Sequence, residues 1–358
     1  MTAMIRAQID TLALRHNLAT IRGHAPGRKV MAVIKANAYG HGLVATAQAL
    51  SAADAFAVAR LEEGLQLCAV GIRAPIVLLE GVFSAEQLAA AAAHELQLVV
   101  HDPLQIELLE RYSGEYRFTL WLKIDTGMNR LGFRPQDFAA ALRALQTLRT
   151  PAQEIRLMTH LARADEPEQD MTRLQTARFR QCVAATALPT SIGNSAGIWG
   201  GAESQGDWVR PGLALYGVSP FGKSHGAALG LQPAMTLQTH VIATKRVPRG
   251  ETVGYGGAWL AQRDTRIAIL SAGYGDGLRR SLAAGTPVLI AGQRAVLVGR
   301  VSMDMIAIDV TDLPSVVVGD PAVLWGAALP VETIAAHAGT IPYELLCAVN
   351  QRVPLEHF

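Results

Sequence analysis

The feature of this chain that most restricts its fold is a repeated pair of segments, a short apolar run followed by an alanine- and leucine-rich stretch. About eight such pairs follow one another in the first 220 residues. The runs have the length of strands and the stretches have the length of helices. Runs that are apolar throughout are typical of strands buried on both faces of a parallel sheet. The runs are 30–34, 55–59, 75–80, 96–100, 118–124, 155–159, 190–194 and 208–217.

Eight strand–helix units in about 220 residues fit a (β/α)₈ barrel. We therefore predict an α/β chain with a TIM-type barrel, and a doubly wound open sheet is the alternative. From about residue 227 the pattern changes to strand-like runs separated by Gly, Pro and Asp turns. This favours a second, mainly antiparallel β domain. We place the barrel domain at 1–226, the β domain at 227–358, and a linker at 217–230.

Charge and cysteine content exclude several classes of function. Lys and Arg (32) nearly balance Asp and Glu (30), which argues against a nucleic-acid or membrane partner. The three cysteines are scattered and form no CxxC pair, so they indicate neither a disulfide framework nor a metal site. Asp10 comes before any apolar segment that could serve as a signal peptide, so none is expected. No run approaches the ~20 apolar residues of a membrane span. We expect a cytoplasmic protein.

Polar residues follow the apolar runs where each predicted strand ends. In a barrel of this type the carboxyl ends of the strands share one face, on which catalytic groups converge. A single charged residue there is ordinary turn chemistry, whereas a full set in register favours an active site. The set consists of Lys35, Arg60, Glu80, Asp102, Lys123 with Asp125, His160, Asn194 and Arg210.

Lys35 is the strongest catalytic candidate on that face. It closes an apolar run and precedes Ala-Asn-Ala-Tyr-Gly-His-Gly, so its amine would point into a polar, glycine-lined mouth. Burial lowers the pKa of an ammonium group, and a lysine so placed can act as a Schiff-base nucleophile or a general base. A surface lysine at a strand end is the alternative interpretation.

Small residues follow the last two runs, in Asn194-Ser195-Ala196-Gly197 and Arg210-Pro211-Gly212. The loops after strands seven and eight commonly bind phosphate in this barrel, because small residues let backbone N–H groups approach an anion. A plain turn is the alternative for each. A reactive lysine and a phosphate cradle on one face indicate pyridoxal phosphate. No GxGxxG follows a strand and no GxxxxGK[ST] occurs, which disfavours a dinucleotide or triphosphate.

The segment AVIKANAYGHG resembles the pyridoxal-lysine signature of the alanine racemases. Other segments resemble motifs of that family in the same order along the chain: LKIDTGMNRLGF, MTHLARADE, GNSAG, VRPGLALYG, VGYGGAW, SAGYGDGLRR, GRVSMDM and IPYELLC. The resemblance implies a pyridoxal phosphate-dependent isomerase that interconverts L-alanine and D-alanine and supplies D-alanine for peptidoglycan. It also implies a homodimer of barrel-plus-β-domain subunits that share their active sites.

The resemblance also implies roles for individual residues. Lys35 would hold the cofactor and act as the base on one face of Cα, and Tyr255 of the partner subunit would act on the other face. Arg210 would donate a hydrogen bond to the pyridine nitrogen, and His160 would support Arg210 and the tyrosine. Lys123 matches a lysine that is often carbamylated. Further cofactor contacts would come from Tyr39, Asn194, Ser195, Gly212 and Tyr343, and substrate contacts from Arg130, Tyr274, Met303 and Asp304.

Three other functions remain open. A non-catalytic pyridoxal phosphate carrier on the same barrel would leave the C-terminal residues and Tyr255 without a role. A decarboxylase of the same architecture would place a carboxylate, not Arg210, at the pyridine nitrogen. A broad-specificity amino-acid racemase would differ in pocket width, although such enzymes tend to be exported and no signal peptide is visible here.

Overall fold

The computed structural model describes residues 4–222 and 224–358, and two eight-stranded sheets organise them. The first strand, β1 (Arg6–Ile9), belongs to the second sheet. The strands of the first sheet pair in parallel in the order β9-β2-β3-β4-β5-β6-β7-β8. They are β2 (Lys29–Val33), β3 (Ala55–Val58), β4 (Ile76–Leu78), β5 (Gln97–Val100), β6 (Thr119–Lys123), β7 (Glu154–Met158), β8 (Thr190–Ser191) and β9 (Trp208–Val209).

The two ends of this row of strands meet and close the sheet. The Arg210 N–H donates to the Gly193 carbonyl at 2.8 Å, and the Asp207 N–H donates to the Thr190 carbonyl at 2.8 Å. Every residue of β3, β4 and β5 is buried, as the uniformly apolar runs indicated. The predicted (β/α)₈ barrel is thereby confirmed.

Helices cover the outside of the barrel, and short polar side chains cap the N-termini of several of them. Asp102 accepts from the Leu104 N–H at 2.9 Å, and Ser84 accepts from the Gln87 N–H at 3.2 Å. None of the helices in 4–222 and 224–358 is long and apolar enough to span a bilayer. The barrel helices are Thr11–His24, Leu43–Ala49, Leu61–Ala69, Ala85–Ala93, Pro103–Arg111, Phe138–Gln146, Met171–Val183 and Ser195–Trp199.

The second sheet is mainly antiparallel, which confirms the predicted β-rich C-terminal part. Its strands besides β1 are β10 (Met235–Val247), β13 (Thr265–Leu270), β14 (Pro287–Ile290), β15 (Gln293–Val298), β16 (Ile306–Asp309), β17 (Pro321–Trp325) and β18 (Leu355–His357), and a hairpin joins β11 (Thr252–Val253) to β12 (Trp259–Leu260). Two helices, Val331–Ala338 and Pro342–Ala348, follow β17. The second of them contacts the short turn Lys35–Tyr39, which follows β2, so it reaches the mouth of the barrel.

The structure differs from the sequence prediction at two places. β1 lies within the range predicted for the barrel, yet it pairs antiparallel with β10 and parallel with β18. The run 208–217 is a strand only at its start, because Pro211 has no N–H to donate to a neighbouring strand, and a 3₁₀ helix follows at Leu213–Tyr216. Residues 1–3, and Lys223 in the predicted linker, lie outside the described residues.

Candidate active site

A cavity of about 740 Å³ opens at the carboxyl ends of the barrel strands. Most of the polar residues that follow the strands line it. The exceptions are Arg60, which pairs with Glu80 at 3.8 Å, and Asp102 and Asp125, which accept from nearby backbone N–H groups. Residues that the sequence predicted as cofactor or substrate ligands meet in this cavity. They are Lys35, Tyr39, Lys123, Arg130, His160, Asn194, Ser195, Arg210, Gly212 and Tyr343.

An unusual left-handed turn begins at Lys35. Each residue from Ala36 to Tyr39 has a φ between 52° and 54°, although none is glycine. This conformation costs roughly 1–2 kcal/mol per L-residue, so the surroundings must stabilise it. The Ala36 N–H donates to the Glu63 carboxylate at 2.6 Å, and His41 Nδ1 lies 2.9 Å from the Tyr39 carbonyl. Burial lowers the pKa of His41 to about 4, so the ring is neutral and can donate from Nδ1.

The turn leads from Lys35 to a cradle of hydroxyl and N–H groups. The buried Ser195 Oγ accepts from the Gly212 N–H at 2.9 Å and from the Ala214 N–H at 3.3 Å. A Cβ at Gly212 would lie 2.5 Å from the Tyr39 hydroxyl, so any larger residue there would displace that hydroxyl. The Tyr343 ring lies 5.7 Å from that of Tyr39. Small backbone groups and hydroxyls thus surround a space suited to an anion.

The Asn194 side chain makes hydrogen bonds to the backbone beside this cradle. Its side-chain oxygen accepts from the Gly197 N–H at 3.0 Å, and its amide nitrogen donates to the Leu161 carbonyl at 3.3 Å. Asn194 therefore starts the helix Ser195–Trp199 and fixes the position of Ser195. The structure brings it to the cavity wall, and a direct cofactor contact stays a prediction.

Arg210 is a buried cation held by neutral acceptors. Its Nη1 donates to Ser191 Oγ at 2.5 Å, and its Nη2 donates to the Thr159 carbonyl at 2.5 Å and lies 3.4 Å from His160 Nδ1. Among the described residues no carboxylate lies within salt-bridge distance of it. Burial lowers the pKa of Arg210 to about 10, so it stays charged at neutral pH. Burial and the Arg210 charge hold the pKa of His160 well below its usual range, which leaves His160 a neutral acceptor.

The cavity carries an excess of positive charge. Lys35, Lys123, Arg130 and Arg210 line it, and the acidic residues among its described lining are Glu80 and Asp165. Burial and the neighbouring Arg210 and Arg130 lower the pKa of Lys123 to about 8. Such a cavity suits a ligand with more than one anionic group.

The loop that carries Arg130 is organised by Asp125. The buried Asp125 carboxylate accepts from the N–H groups of Gly127 and Asn129, both at 3.0 Å. Asn129 itself adopts a left-handed φ of 57°. Arg130 is therefore presented by a defined loop, although its own side chain is exposed in the single chain.

Four predicted site residues lie outside this cavity, on the second sheet and its loops. Tyr255, Tyr274 and Met303 are 68%, 40% and 53% exposed, and Asp304 pairs with Arg352 at 2.7 Å. The Tyr274 N–H donates to the Ser302 carbonyl at 3.0 Å, which joins the two loops that carry Tyr274 and Met303. Apolar side chains exposed on adjoining loops, such as Tyr274 and Met303, are typical of an interaction surface. One chain alone therefore does not assemble the full predicted set.

Sequence reasoning missed the residues that hold the site through backbone contacts. Glu63 binds the peptide after Lys35, and Ser191 and the Thr159 carbonyl hold Arg210. Glu63 lies in an ordinary helical segment and Ser191 in a weak strand. No local pattern distinguishes them, since their partners are distant in sequence.

Comparisons with known proteins agree with this geometry. Family models described as the N-terminal and C-terminal domains of alanine racemase match residues 9–220 and 234–357. The alanine racemase of Nitrosococcus oceani is 50% identical over 349 residues, which are 98% of each chain. The biosynthetic alanine racemase of Pseudomonas aeruginosa superimposes with a TM-score of 0.97 at 43% identity over the whole of both chains. The Bartonella henselae alanine racemase, solved with covalently bound pyridoxal phosphate, gives 0.90 at 31% identity over the whole of both chains. The chain belongs to the alanine racemase family.

Proposed function

We propose that this protein interconverts L-alanine and D-alanine with pyridoxal phosphate and supplies D-alanine for peptidoglycan in the cytoplasm. The observation that carries the proposal is the cavity that joins the Lys35 amine, an anion cradle and a buried arginine held by neutral acceptors. The family relationship supports the same activity. We also propose a barrel domain at 1–226 and a β domain at 227–358, with β1 of the first range completing the sheet of the second.

The residues of the cavity fit pyridoxal phosphate. The Lys35 amine can bond to an aldehyde, and the Ser195 hydroxyl and the Tyr39–Gly212 cradle suit a phosphate. The Arg210 side chain suits the pyridine nitrogen, since a guanidinium can only donate hydrogen bonds. Pyridoxal phosphate, when bound, withdraws electrons from the substrate Cα and so makes its proton acidic.

The protein's own part is to move a proton at each face of Cα. Lys35 Nζ would remove or return the proton on one face, and the hydroxyl of Tyr255 of the partner subunit would do so on the other. Two opposed bases are required, because a proton taken from one side must be replaced from the opposite side. Arg130 would orient the substrate carboxylate. The partner's Tyr274, Met303 and Asp304 would enclose the entrance and restrict access of water.

Arg210 would decide which reaction follows proton removal. Because it remains protonated and its partners among the described residues are neutral, it can donate to the pyridine nitrogen but cannot give that nitrogen a proton readily. The electrons left by proton removal would then stay largely at Cα, where Lys35 or Tyr255 of the partner subunit would return a proton. This favours racemisation over decarboxylation or transamination, for which a carboxylate at this position would be expected.

The proposed function is tested by incubating the protein with L-alanine and pyridoxal phosphate in deuterium oxide. We expect D-alanine that carries deuterium at Cα. Parallel incubations with L-serine and L-lysine would identify a broad-specificity racemase. Cofactor binding without exchange in any of these amino acids would indicate a carrier and contradict the proposal.

Ser195→Ala should weaken cofactor binding without unfolding the barrel. The hydroxyl is buried beside the Gly212 and Ala214 N–H groups, and a hydrogen bond to a charged group contributes roughly 1.5–3 kcal/mol, so we expect about 10–100-fold weaker binding of pyridoxal phosphate. Absorbance titration of the apoprotein measures this. Ser204→Ala is the control, since Ser204 is also buried but donates to the Gly197 carbonyl and does not line the cavity. Equal affinities for both variants would contradict the cradle assignment.

Lys123 should become carbamylated, because its neutral amine can add to dissolved CO₂ and release a proton, and more so as the pH rises at a fixed bicarbonate concentration. Its pKa is lowered from 10.5 to about 8, so its neutral, nucleophilic form is the majority above pH 8. The resulting anion would lie beside Arg130 and Arg210, whose charges favour it. We expect a ¹³C carbamate signal with ¹³C-bicarbonate that grows from pH 7 to pH 9 and is absent in Lys123→Ala. A signal that is unchanged by that substitution would place the modification elsewhere.

A further inference from the structure

Glu63 makes a contact that helix capping does not require. It lies in the first turn of helix Leu61–Ala69, where its Oε2 accepts from the N–H groups of Ala59 at 2.8 Å and Arg60 at 3.3 Å. A glutamate at this position ordinarily serves only such local donors. The other oxygen of the same carboxylate, Oε1, accepts from the Ala36 N–H at 2.6 Å, and Ala36 lies 27 residues away in the sequence. One carboxylate thus joins the ends of two adjacent barrel strands.

The Ala36 N–H is the first backbone donor after Lys35. The first donors of a helical turn have no partner inside the turn, and Glu63 supplies one here. The bond fixes the peptide plane between Lys35 and Ala36. The orientation of that plane sets the direction in which the Lys35 side chain leaves the backbone.

The opposite end of the left-handed turn is held independently. His41 Nδ1 binds the Ala38 and Tyr39 carbonyls at 3.1 Å and 2.9 Å, and the Tyr39 ring packs 4.8 Å from that of Tyr216. The phosphate end of the site therefore does not depend on Glu63. The amine end does, since the Ala36 N–H bonds to its carboxylate.

We propose that Glu63 is a positioning residue for Lys35, holding the amine where it can bond to the cofactor aldehyde. This rests on the proposed function, because it concerns the same cavity. The carboxylate itself does not line the cavity. Glu63→Gln keeps the size of the side chain but presents an NH₂ group to one of the two sets of N–H donors. Glu62→Gln is the matched control, since Glu62 precedes it in the same helix and is exposed.

The test compares two ligands in absorbance or fluorescence titrations of the apoprotein. Pyridoxal phosphate can bond to Lys35, whereas pyridoxine phosphate has the same ring and phosphate but no aldehyde. We expect Glu63→Gln to weaken pyridoxal phosphate binding by about tenfold or more, as for a lost charged hydrogen bond, while pyridoxine phosphate changes less than about twofold. Glu62→Gln should match the wild type with both ligands.

Each other result has a definite meaning. If Glu63→Gln binds pyridoxal phosphate as tightly as the wild type, Glu63 does not position Lys35. If both ligands weaken equally, with a lowered unfolding temperature, the role is general structural support and the assignment is overturned. If the wild type binds pyridoxine phosphate but forms no covalent bond with pyridoxal phosphate, the proposed function itself fails.

Discussion

Lys35→Ala is expected to abolish racemisation, with a fall in kcat of at least about 10⁴-fold. One side chain acting as general acid and base contributes about 10²–10⁴-fold, and this substitution would also remove the proposed covalent anchor of the cofactor. The fold should survive, because Lys35 is partly exposed at the cavity and lies just beyond the buried strand β2.

The measurement is D-alanine formation together with the visible absorbance of the covalently held cofactor, and both should vanish in Lys35→Ala. Lys29→Ala is the control, since Lys29 begins the same strand at the opposite end of the barrel and packs 5.1 Å from the Trp208 ring. Retention of more than a tenth of the wild-type activity in Lys35→Ala would rule out Lys35 as the base.

Tyr255→Phe is expected to separate cofactor binding from racemisation. Because phenylalanine keeps the aromatic ring, and the Lys35 amine and the anion cradle belong to the other chain of the shared site, cofactor affinity should be unchanged. Loss of one of two bases should lower kcat by about 10²–10⁴-fold in both directions. One base would remain, so one alanine enantiomer should still exchange its Cα proton with retention while the other does not.

Proton NMR in deuterium oxide, started from each enantiomer separately, detects this asymmetry. Tyr112→Phe, on the barrel surface away from the cavity, removes a tyrosine hydroxyl and should leave both reactions unchanged. Equal exchange of both enantiomers by Tyr255→Phe would show that Tyr255 is not the second base.

Local sequence patterns predict much of the fold. Helix Pro103–Arg111 was predictable because Asp102 and Pro103 favour a helix start and an apolar face follows. The barrel strands were predictable because burial on both faces leaves uniformly apolar runs. β1 was not, because a strand of four residues carries little signal and its partners, β10 and β18, are distant in sequence.

The residues of the candidate site also differ in whether local sequence patterns could predict them. Lys35 and Ser195 could be found, since each lies where a strand of a barrel ends and its residue type has a chemical use there. The family resemblance supplied Tyr255, whose surroundings in the sequence resemble an ordinary glycine-rich turn. Glu63 could not be found, because its proposed role depends on a bond to Ala36 that requires β2 and β3 to pair.

The central claim is that one active site combines Lys35 of one subunit with Tyr255 of another, and mixed dimers test it most directly. Lys35→Ala and Tyr255→Phe are each expected to be inactive, but a dimer with one chain of each has one site in which both bases are intact. After exchange of subunits in an equal mixture, about half the dimers are mixed and each has one intact site of two, so about a quarter of wild-type activity should return. A mixture that stays as inactive as the two separate variants, although mass spectrometry detects mixed dimers, would contradict the shared site.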